Sequence, residues 1–399
     1  MAPRMANAHD RYNQSQMRIL HVITSLMTGG AETLAVNMVP RLRAMGHVVD
    51  VCVFNGRETA LMQRLRNENP GIRIYKLGTG VYNPLYILKL ARIMRNYDIV
   101  HSHNSSPQLF VAIAGVLCSV GLCTTEHNTS NRKRRWKWYA PIESRMYSAY
   151  GHIVCISRIA EEKLREYMGG AWLDASSDVH SKISTINNGV DVEAVHNALP
   201  LPGMHKNGTF VTAMVAGFRE AKDQDTAIRA IAMLPEEYEL WLVGDGERRG
   251  ILEALSRKLD VENRVRFWGT RSDVPQILKT ADAIVMSSHW EGLSLSNIEG
   301  MSAGKPFLAS DVNGLREVTK GYGLLFGHED AGQLAELLRK LHDNRAFYNA
   351  TAEACYKRAC EFNIADTVEK YNEVYRRIAE KSRNNKTSTK ITSENLYNL

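Results

Sequence analysis

The sequence predicts an α/β protein built from two Rossmann-like domains, and three observations lead there. The chain has 399 residues, more than one hydrophobic core ordinarily serves and suited to two domains of roughly 150–200 residues each. Short, continuously apolar runs alternate with amphipathic stretches almost from end to end, the pattern of parallel sheets covered by helices on both faces. The alternation pauses once and then restarts.

The first domain is expected over 17–197. Apolar runs at 17–26, 47–54, 73–77, 98–101, 122–126 and 152–157 read as strands, with helical periodicity at 31–45 and 84–96 between them. The pause lies at 198–208, where two prolines and two glycines without periodicity mark a linker. The second domain, 209–360, restarts with strands at 209–216, 238–243, 265–268, 283–287 and 306–309. A last helix is expected within 361–382, carried by Val368, Tyr371, Val374, Tyr375 and Ile378 at helical spacing. Polar residues at 1–16 and 383–399 read as disordered ends.

Composition narrows the class without naming it. Apolar residues make up 44% and charged residues 23%, values of a globular chain. The formal charge of +7 suits an anionic ligand, an anionic membrane surface or nucleic acid. None of the six cysteines forms a CxxC pair or a zinc-spaced cluster, so they read as buried thiols in a reducing compartment. Residues 1–16 lack the apolar core of a signal peptide, and no run approaches the ~20 apolar residues of a membrane span. The expected location is the cytoplasm, with peripheral contact at the cytoplasmic membrane face as a variant.

Parallel sheets of this kind bind ligands at the carboxyl ends of their strands, so the strand-to-helix junctions carry the candidates. After the first strand, Gly29 and Gly30 allow close backbone approach at a helix start, where free N–H groups attract an anion; a plain turn would use the same glycines. After 238–243, Gly244-Asp245-Gly246 imitates a dinucleotide fingerprint, but the third glycine comes one residue late. No acid follows the next strand to hold a ribose. After 209–216, Gly217-Phe218-Arg219-Glu220-Ala221-Lys222 sets two cations before a helix, where they can neutralise a leaving diphosphate or merely form a solvated loop. Asp223-Gln224-Asp225 matches a DxD metal signature but reads better as a helix cap, so no metal and no cofactor are expected.

After 283–287, Glu291 and Glu299 stand eight residues apart around Gly292, Leu293, Ser294 and Leu295. Two roles are open there: a ligand-facing helix start, or a capping box formed by Ser296 and Glu299. At the end of 122–126, Glu126, His127 and Asn128 could present polar groups or cap the next segment. The stretch 131–139 mixes five basic residues, Arg132, Arg134 and Arg135 among them, with two tryptophans and a tyrosine. It suits an anionic membrane interface, a lipid pyrophosphate or nucleic acid, and a solvated helix face would explain the charges but not Trp136 and Trp138.

Taken in order, these junctions resemble those of the retaining GT-B glycosyltransferases of family four, also called glycosyl transferases group 1. The resemblance covers about 17–380. Its most specific part is Glu291 to Glu299 running on to Gly304-Lys305-Pro306, supported by Gly29-Gly30-Ala31-Glu32, Asn188-Gly189-Val190-Asp191, Gly244-x-Gly246 and Lys222. It implies two domains facing each other across a cleft, the first serving the acceptor and the second the donor. It also implies a final helix crossing back to the first domain. The substrates implied are a nucleotide-sugar, UDP-sugar first and GDP-sugar next, and a glycan or lipid-linked acceptor in cell-surface polysaccharide synthesis, with no nucleic acid.

By the same resemblance, Glu299 would hold the donor ribose and Glu291 the hydroxyls of the transferred sugar. Amides near Leu293, Ser294 and Leu295 would face the sugar and diphosphate. Lys222 would bind the diphosphate, with Gly30 approaching it, and His127 would lie near the transferred sugar. Glu126, Asn128, Arg132, Arg134 and Arg135 would serve the acceptor. The chain departs from the family where an arginine usually stands five residues before the lysine. Gly217 occupies that place, and Arg219 is its expected substitute. The nearest rivals are a nucleotide-sugar epimerase of the same fold, a Rossmann oxidoreductase and a non-catalytic binding protein. The oxidoreductase is opposed by the imperfect fingerprint.

Overall fold

The computed structural model describes residues 16–27, 29–127, 134, 139–205, 208–291 and 295–396, with side chains as far as 382. It divides into two compact units. The first comprises 1–187 and 368–399, and the second 188–367.

The first unit alternates strand and helix: β1 (Arg18–Ile23), α1 (Gly30–Ala44), β2 (Val48–Asn55), α2 (Ala60–Glu68), β3 (Ile74–Gly78), α3 (Leu85–Met94), β4 (Ile99–His103), α4 (Ser105–Gly115), β5 (Gly121–Glu126), α5 (Ala140–Ser148), β6 (His152–Cys155), α6 (Arg158–Met168) and β7 (Ile183–Thr185). Its seven strands lie in the order β3-β2-β1-β4-β5-β6-β7, every pair parallel. β7 was not expected; three residues are too few to show a periodicity.

The second unit begins with α7 (Val192–His196) and continues through β8 (Phe210–Val215), α8 (Gln224–Ala232), β9 (Tyr238–Val243), α9 (Arg249–Lys258), β10 (Val265–Gly269), α10 (Val274–Thr280), β11 (Ala283–Met286), α11 (Leu295–Ser302), β12 (Phe307–Ser310), α12 (Arg316–Thr319), β13 (Leu324–Phe326), α13 (Ala331–Asp343) and α14 (Arg345–Cys360). The sheet order is β10-β9-β8-β11-β12-β13. In both units the winding therefore reverses between the first strand and the fourth, and a crevice for a ligand opens beside such a reversal. The short β13 also escaped the sequence reading.

The segment 198–208, read as a linker, belongs to the second unit. The Leu201 amide donates to Thr280 Oγ1 at 2.8 Å, His205 contacts Asp282 Oδ2 at 2.7 Å, and Leu201 and Met204 pack on a small core around Trp241. The chain changes units ten residues earlier, at Asn188. There the Val190 amide donates to the Phe362 carbonyl at 2.9 Å, and the Ile364 amide donates to that of Val190 at 2.8 Å. A Cβ on Gly189 would meet Ile364 Cα at 2.6 Å, so only glycine lets these two passes of chain lie side by side.

The last helix, α15, spans Ile364–Leu396, which takes helical backbone into the 383–399 segment expected to be disordered. From Val368 onward it belongs to the first unit. Val368, Tyr371, Val374 and Tyr375 are buried, Asn372 Oδ1 meets His47 Nε2 at 2.9 Å, and Ile378 fills the space a Cβ on Gly121 would need. The first 16 expected residues lie outside the described chain except Gln16.

Candidate active site

In the second unit, the loops that follow β8 and β11 meet at the winding reversal. After β8 the chain passes Gly217 and Arg219, makes one 3-10 turn over Glu220–Lys222, and enters α8 through Asp223. Asp223 sits at φ 46° in the left-handed region. It stays there because its carboxylate accepts from the Thr226 amide at 3.3 Å and from Thr226 Oγ1 at 2.7 Å, capping the helix. Asp225 pairs with Arg248 at 2.7 Å. Both carboxylates of the DxD signature are thus engaged in holding α8 and α9.

The β11 loop is stitched to this turn. Ser287 Oγ donates to the Asp223 carbonyl at 2.6 Å, and the His289 amide donates to that of Ala221 at 2.9 Å. The result brings two predicted residues together: Lys222 Nζ donates directly to Glu291 Oε1, which also accepts from Ser288 Oγ at 2.8 Å. Their side chains are 24% and 10% exposed, so the pair is largely shielded and its charges interact strongly. Arg219 is exposed and has no ion-pair partner among the described residues.

The glycines separate into two kinds. Gly244 lies at φ 144°, and a Cβ there would meet the Ala216 carbonyl oxygen at 2.1 Å; one on Gly246 would meet that of Phe218 at 2.4 Å. The protein's own β8 loop therefore requires both. Gly217 is different. It is exposed, and a Cβ there would find nothing closer than 3.8 Å.

Helix α11 begins at Leu295. Ser296 is then already helical and cannot cap, which removes the capping-box alternative for Glu299. Glu299 stands on the second turn, partly exposed. Gly300 lets α11 press on β12, since a Cβ would meet the Phe307 ring at 2.6 Å. Gly292, Leu293 and Ser294 lie outside the described residues.

In the first unit, Gly29 is the extended residue before α1, and its carbonyl accepts from the Thr33 amide at 2.9 Å. Glu32 folds back, with a carboxylate oxygen where a Gly29 Cβ would stand. The same carboxylate accepts from Asn104 Nδ2 at 3.1 Å, joining the β1 and β4 loops at this unit's own reversal. Asn104 holds φ 69°, a strained conformation of the kind that gathers at functional sites.

His127 ends a row of histidines that the sequence reading missed. His21 Nδ1 lies 3.0 Å from His103 Nε2, and His103 Nδ1 lies 3.1 Å from His127 Nε2. Burial pushes His21 and His127 down to about 4 and holds His101 and His103 well below the usual range, so all four rings are neutral at pH 7. The clue in the sequence was a histidine at every second position of one strand, 101 and 103, beside His21.

Two acceptor-binding assignments need correction. Arg134 Nη2 donates to Glu126 Oε2 at 3.0 Å and to Glu143 Oε1 at 3.2 Å, while the Tyr147 hydroxyl donates to Glu126 at 2.5 Å. Side-chain exposures of 10%, 7% and 3% for Arg134, Glu126 and Glu143 make this a buried structural cluster. Burial works against the guanidinium charge, but Glu126 and Glu143 more than offset that and raise its pKa. Asn128, Arg132 and Arg135, with Trp136 and Trp138, lie outside the described residues.

Comparison with known proteins agrees with this architecture. Residues 28–194 match the family model Glycosyltransferase Family 4, and residues 203–359 match Glycosyl transferases group 1. The putative glycosyltransferase EpsF of Bacillus subtilis is 25% identical over 327 residues, covering 78% of this chain and 84% of that one. An Escherichia coli UDP-Gal:alpha-D-GlcNAc-diphosphoundecaprenol alpha-1,3-galactosyltransferase is 26% identical over 315 residues, 72% of this chain and 78% of its own. Among solved structures, Anabaena Alr3699/HepE in complex with UDP superposes with a TM-score of 0.74 at 19% identity, over 90% of this chain and 99% of the other. Likeness at that identity speaks for the fold, two Rossmann-like domains of the GT-B kind.

Proposed function

This chain is a glycosyltransferase of the group 1, family 4 type, and from that premise we propose that it moves a sugar from a UDP-sugar, with retention of anomeric configuration, to a glycan or lipid-linked acceptor. GDP-sugars are the next choice of donor. The observation that carries this reading is the contact between Lys222 and Glu291 beside the winding reversal of the second unit. A cation for the diphosphate and a carboxylate for sugar hydroxyls adjoin there, where an α/β sheet receives its ligand. The UDP complexes of HepE and the lipid-diphosphate acceptor in the name of the E. coli relative support the substrate classes.

In the proposed reaction the acceptor oxygen bonds to the anomeric carbon on the face from which the nucleoside diphosphate departs. The bond from that carbon to the diphosphate oxygen breaks, and a departing phosphate oxygen takes the acceptor's proton. Lys222, Arg219 and the amides at the start of α11 stabilise the charge on the leaving group, and Glu299 holds the ribose. Engagement of Asp223 and Asp225 inside the protein supports a reaction without divalent metal. Turnover that persists in excess chelator is the expected result; turnover abolished by chelator and restored by Mg²⁺ or Mn²⁺ would refute it.

A thermal-shift screen against UDP, GDP and other nucleoside diphosphates, followed by a nucleotide-sugar panel, tests the donor assignment. A chain that binds no nucleoside diphosphate is not what we propose.

We also propose peripheral contact with anionic membrane through α3, α4 and α5. Leu85, Leu88, Ile113 and Ile142 on these helices, and Val116 at the end of α4, are exposed, beside exposed Lys89, Arg92, Arg95 and Arg145. Apolar side chains rimmed by cations suit a headgroup surface, and no described helix is long and apolar enough to cross a membrane. Co-flotation with anionic but not zwitterionic vesicles is expected, and its loss in a Leu85→Ser, Leu88→Ser, Val116→Ser variant would map the face.

A further inference from the structure

Three side chains from two loops of the second unit converge at the carboxyl edge of its sheet. His289 stands on the loop after β11, and His328 and Glu329 on the loop between β13 and α13. His289 Nδ1 lies 2.7 Å from His328 Nε2 and 3.5 Å from Glu329 Oε1. All three atoms fall within 4.8 Å of one another. Two imidazoles and a carboxylate are the donor chemistry of a borderline divalent metal ion such as zinc.

The separations can be set against those an ion would impose. Zinc holds nitrogen at about 2.0–2.1 Å and oxygen at about 2.0–2.2 Å, so two ligands of a tetrahedral site stand roughly 3.3–3.4 Å apart. The distance between His289 and Glu329 is already close to that value. The two nitrogens stand closer by about 0.6 Å, which is hydrogen-bond distance. Two bare nitrogens would repel there, so without an ion one ring donates to the other. A neutral imidazole has one N–H and one bare nitrogen. With each proton on the opposite nitrogen, His289 Nδ1 and His328 Nε2 both face an ion as bare ligands. The small parting falls to His328, which is exposed and free to turn.

Both loops are anchored, so these ligands are held in advance. The His289 amide donates to the Ala221 carbonyl at 2.9 Å, and its side chain is only 19% exposed. On the other loop, Asp330 caps α13 by accepting from the Gln333 amide at 2.8 Å, and its own amide donates to the Gly327 carbonyl at 2.9 Å. Between them Glu329 holds φ 60°, a left-handed conformation that glycine adopts more cheaply. Asp223 Oδ2 lies 3.9 Å from His289 Nδ1 but is engaged with Thr226, so it adds negative potential behind the site without serving as a ligand.

We propose that His289, His328 and Glu329 bind a zinc-like divalent ion, with water as the fourth ligand, and that this ion clips the β11 loop to the β13 loop. The other group of this kind among the described residues is His21, His101 and His103. It is enclosed in the first unit, and both nitrogens of His101 are taken, by Tyr375 and Thr125. The clip is structural and takes no part in the reaction proposed above.

Titration of the full-length chain, free of any affinity tag, with Co²⁺ tests the proposal. The expected result is saturation at one ion per chain, with the intense visible bands of a four-coordinate ion, displaced by Zn²⁺. At a Zn²⁺ concentration of about 100 Kd the melting temperature should rise by roughly 5–10 °C for a unit of this size. Mg²⁺, which prefers six oxygens, should give no such rise. His328→Ala should weaken Co²⁺ by at least the roughly 10–100-fold that losing even an outer partner costs. Glu329→Gly separates the site from the fold. Its ion-free melting temperature should equal or exceed that of the native chain, because glycine accepts the left-handed φ, while the rise with Zn²⁺ is lost. Both positions are exposed, so neither substitution opens a cavity. Absence of four-coordinate Co²⁺ bands from the native chain overturns the proposal, and so do bands of unchanged affinity in both variants.

Discussion

Lys222 and Glu291 already satisfy each other, so in the proposed reaction a diphosphate would have to draw the lysine away from a carboxylate that repels phosphate. Opposite effects are expected from the two partners. Lys222→Ala should lower kcat by roughly 10²–10³, the effect of losing one preorganised donor at a developing negative charge. Steady-state turnover at saturating donor checks this. Glu291→Gln should tighten UDP itself about fivefold, an electrostatic change near 1 kcal/mol, while weakening discrimination among sugars; calorimetry with UDP and with UDP-sugars separates the two. The buried histidines make a pH prediction. His21 is lowered to about 4 against about 6.5 in the unfolded chain. Below pH 6.5 the unfolded state therefore takes up protons that the folded state refuses, and stability falls as pH drops from 6.5 towards 4. The loss attributable to this residue is roughly 3 kcal/mol. Denaturant midpoints at pH 7.5 and pH 5, native against His21→Phe, should show a pH dependence weakened in the variant. Lys222 and Glu291 were legible in the sequence because charges at strand ends stand out from apolar runs. His21, His101 and His103 were not, since each is enclosed by strand residues and meets its partners across tens of positions.

At the scale of elements, glycine spacing alone could not tell a ligand turn from a packing turn. Gly244 and Gly246 make room for the carbonyls of Ala216 and Phe218, whereas Gly217 has open space beside it. Gly244→Ala should cost about 2–3 kcal/mol through clash and an unfavourable φ, visible as a drop in melting temperature. Gly217→Ala should melt like the native chain, so any change it makes in donor KM reports the site. Strands long enough to show an apolar run were read to within a few residues, while three-residue β7 and β13 were not. The 198–208 segment looked like a linker because prolines and glycines mark any irregular loop, and only the contacts of Leu201 and His205 assign it to the second unit.

On the scale of the molecule, the first unit is assembled from two stretches of sequence separated by 180 residues of the second. Periodicity revealed the final helix and the family resemblance implied its return, but neither showed that its tyrosines would brace the histidine row. Tyr375 and Tyr371 reach His101 and Thr125, and five residues of α15 from Val368 to Tyr375 are buried to within 1%. A chain ending at Thr367 would leave that surface bare. During synthesis on the ribosome every molecule passes through that state, because translation runs from the N-terminus. The first sheet must wait for the rest of the polypeptide, and the second unit is complete before the first can close. A nascent chain arrested near residue 367 should therefore be a preferred client of chaperones that hold exposed apolar surface.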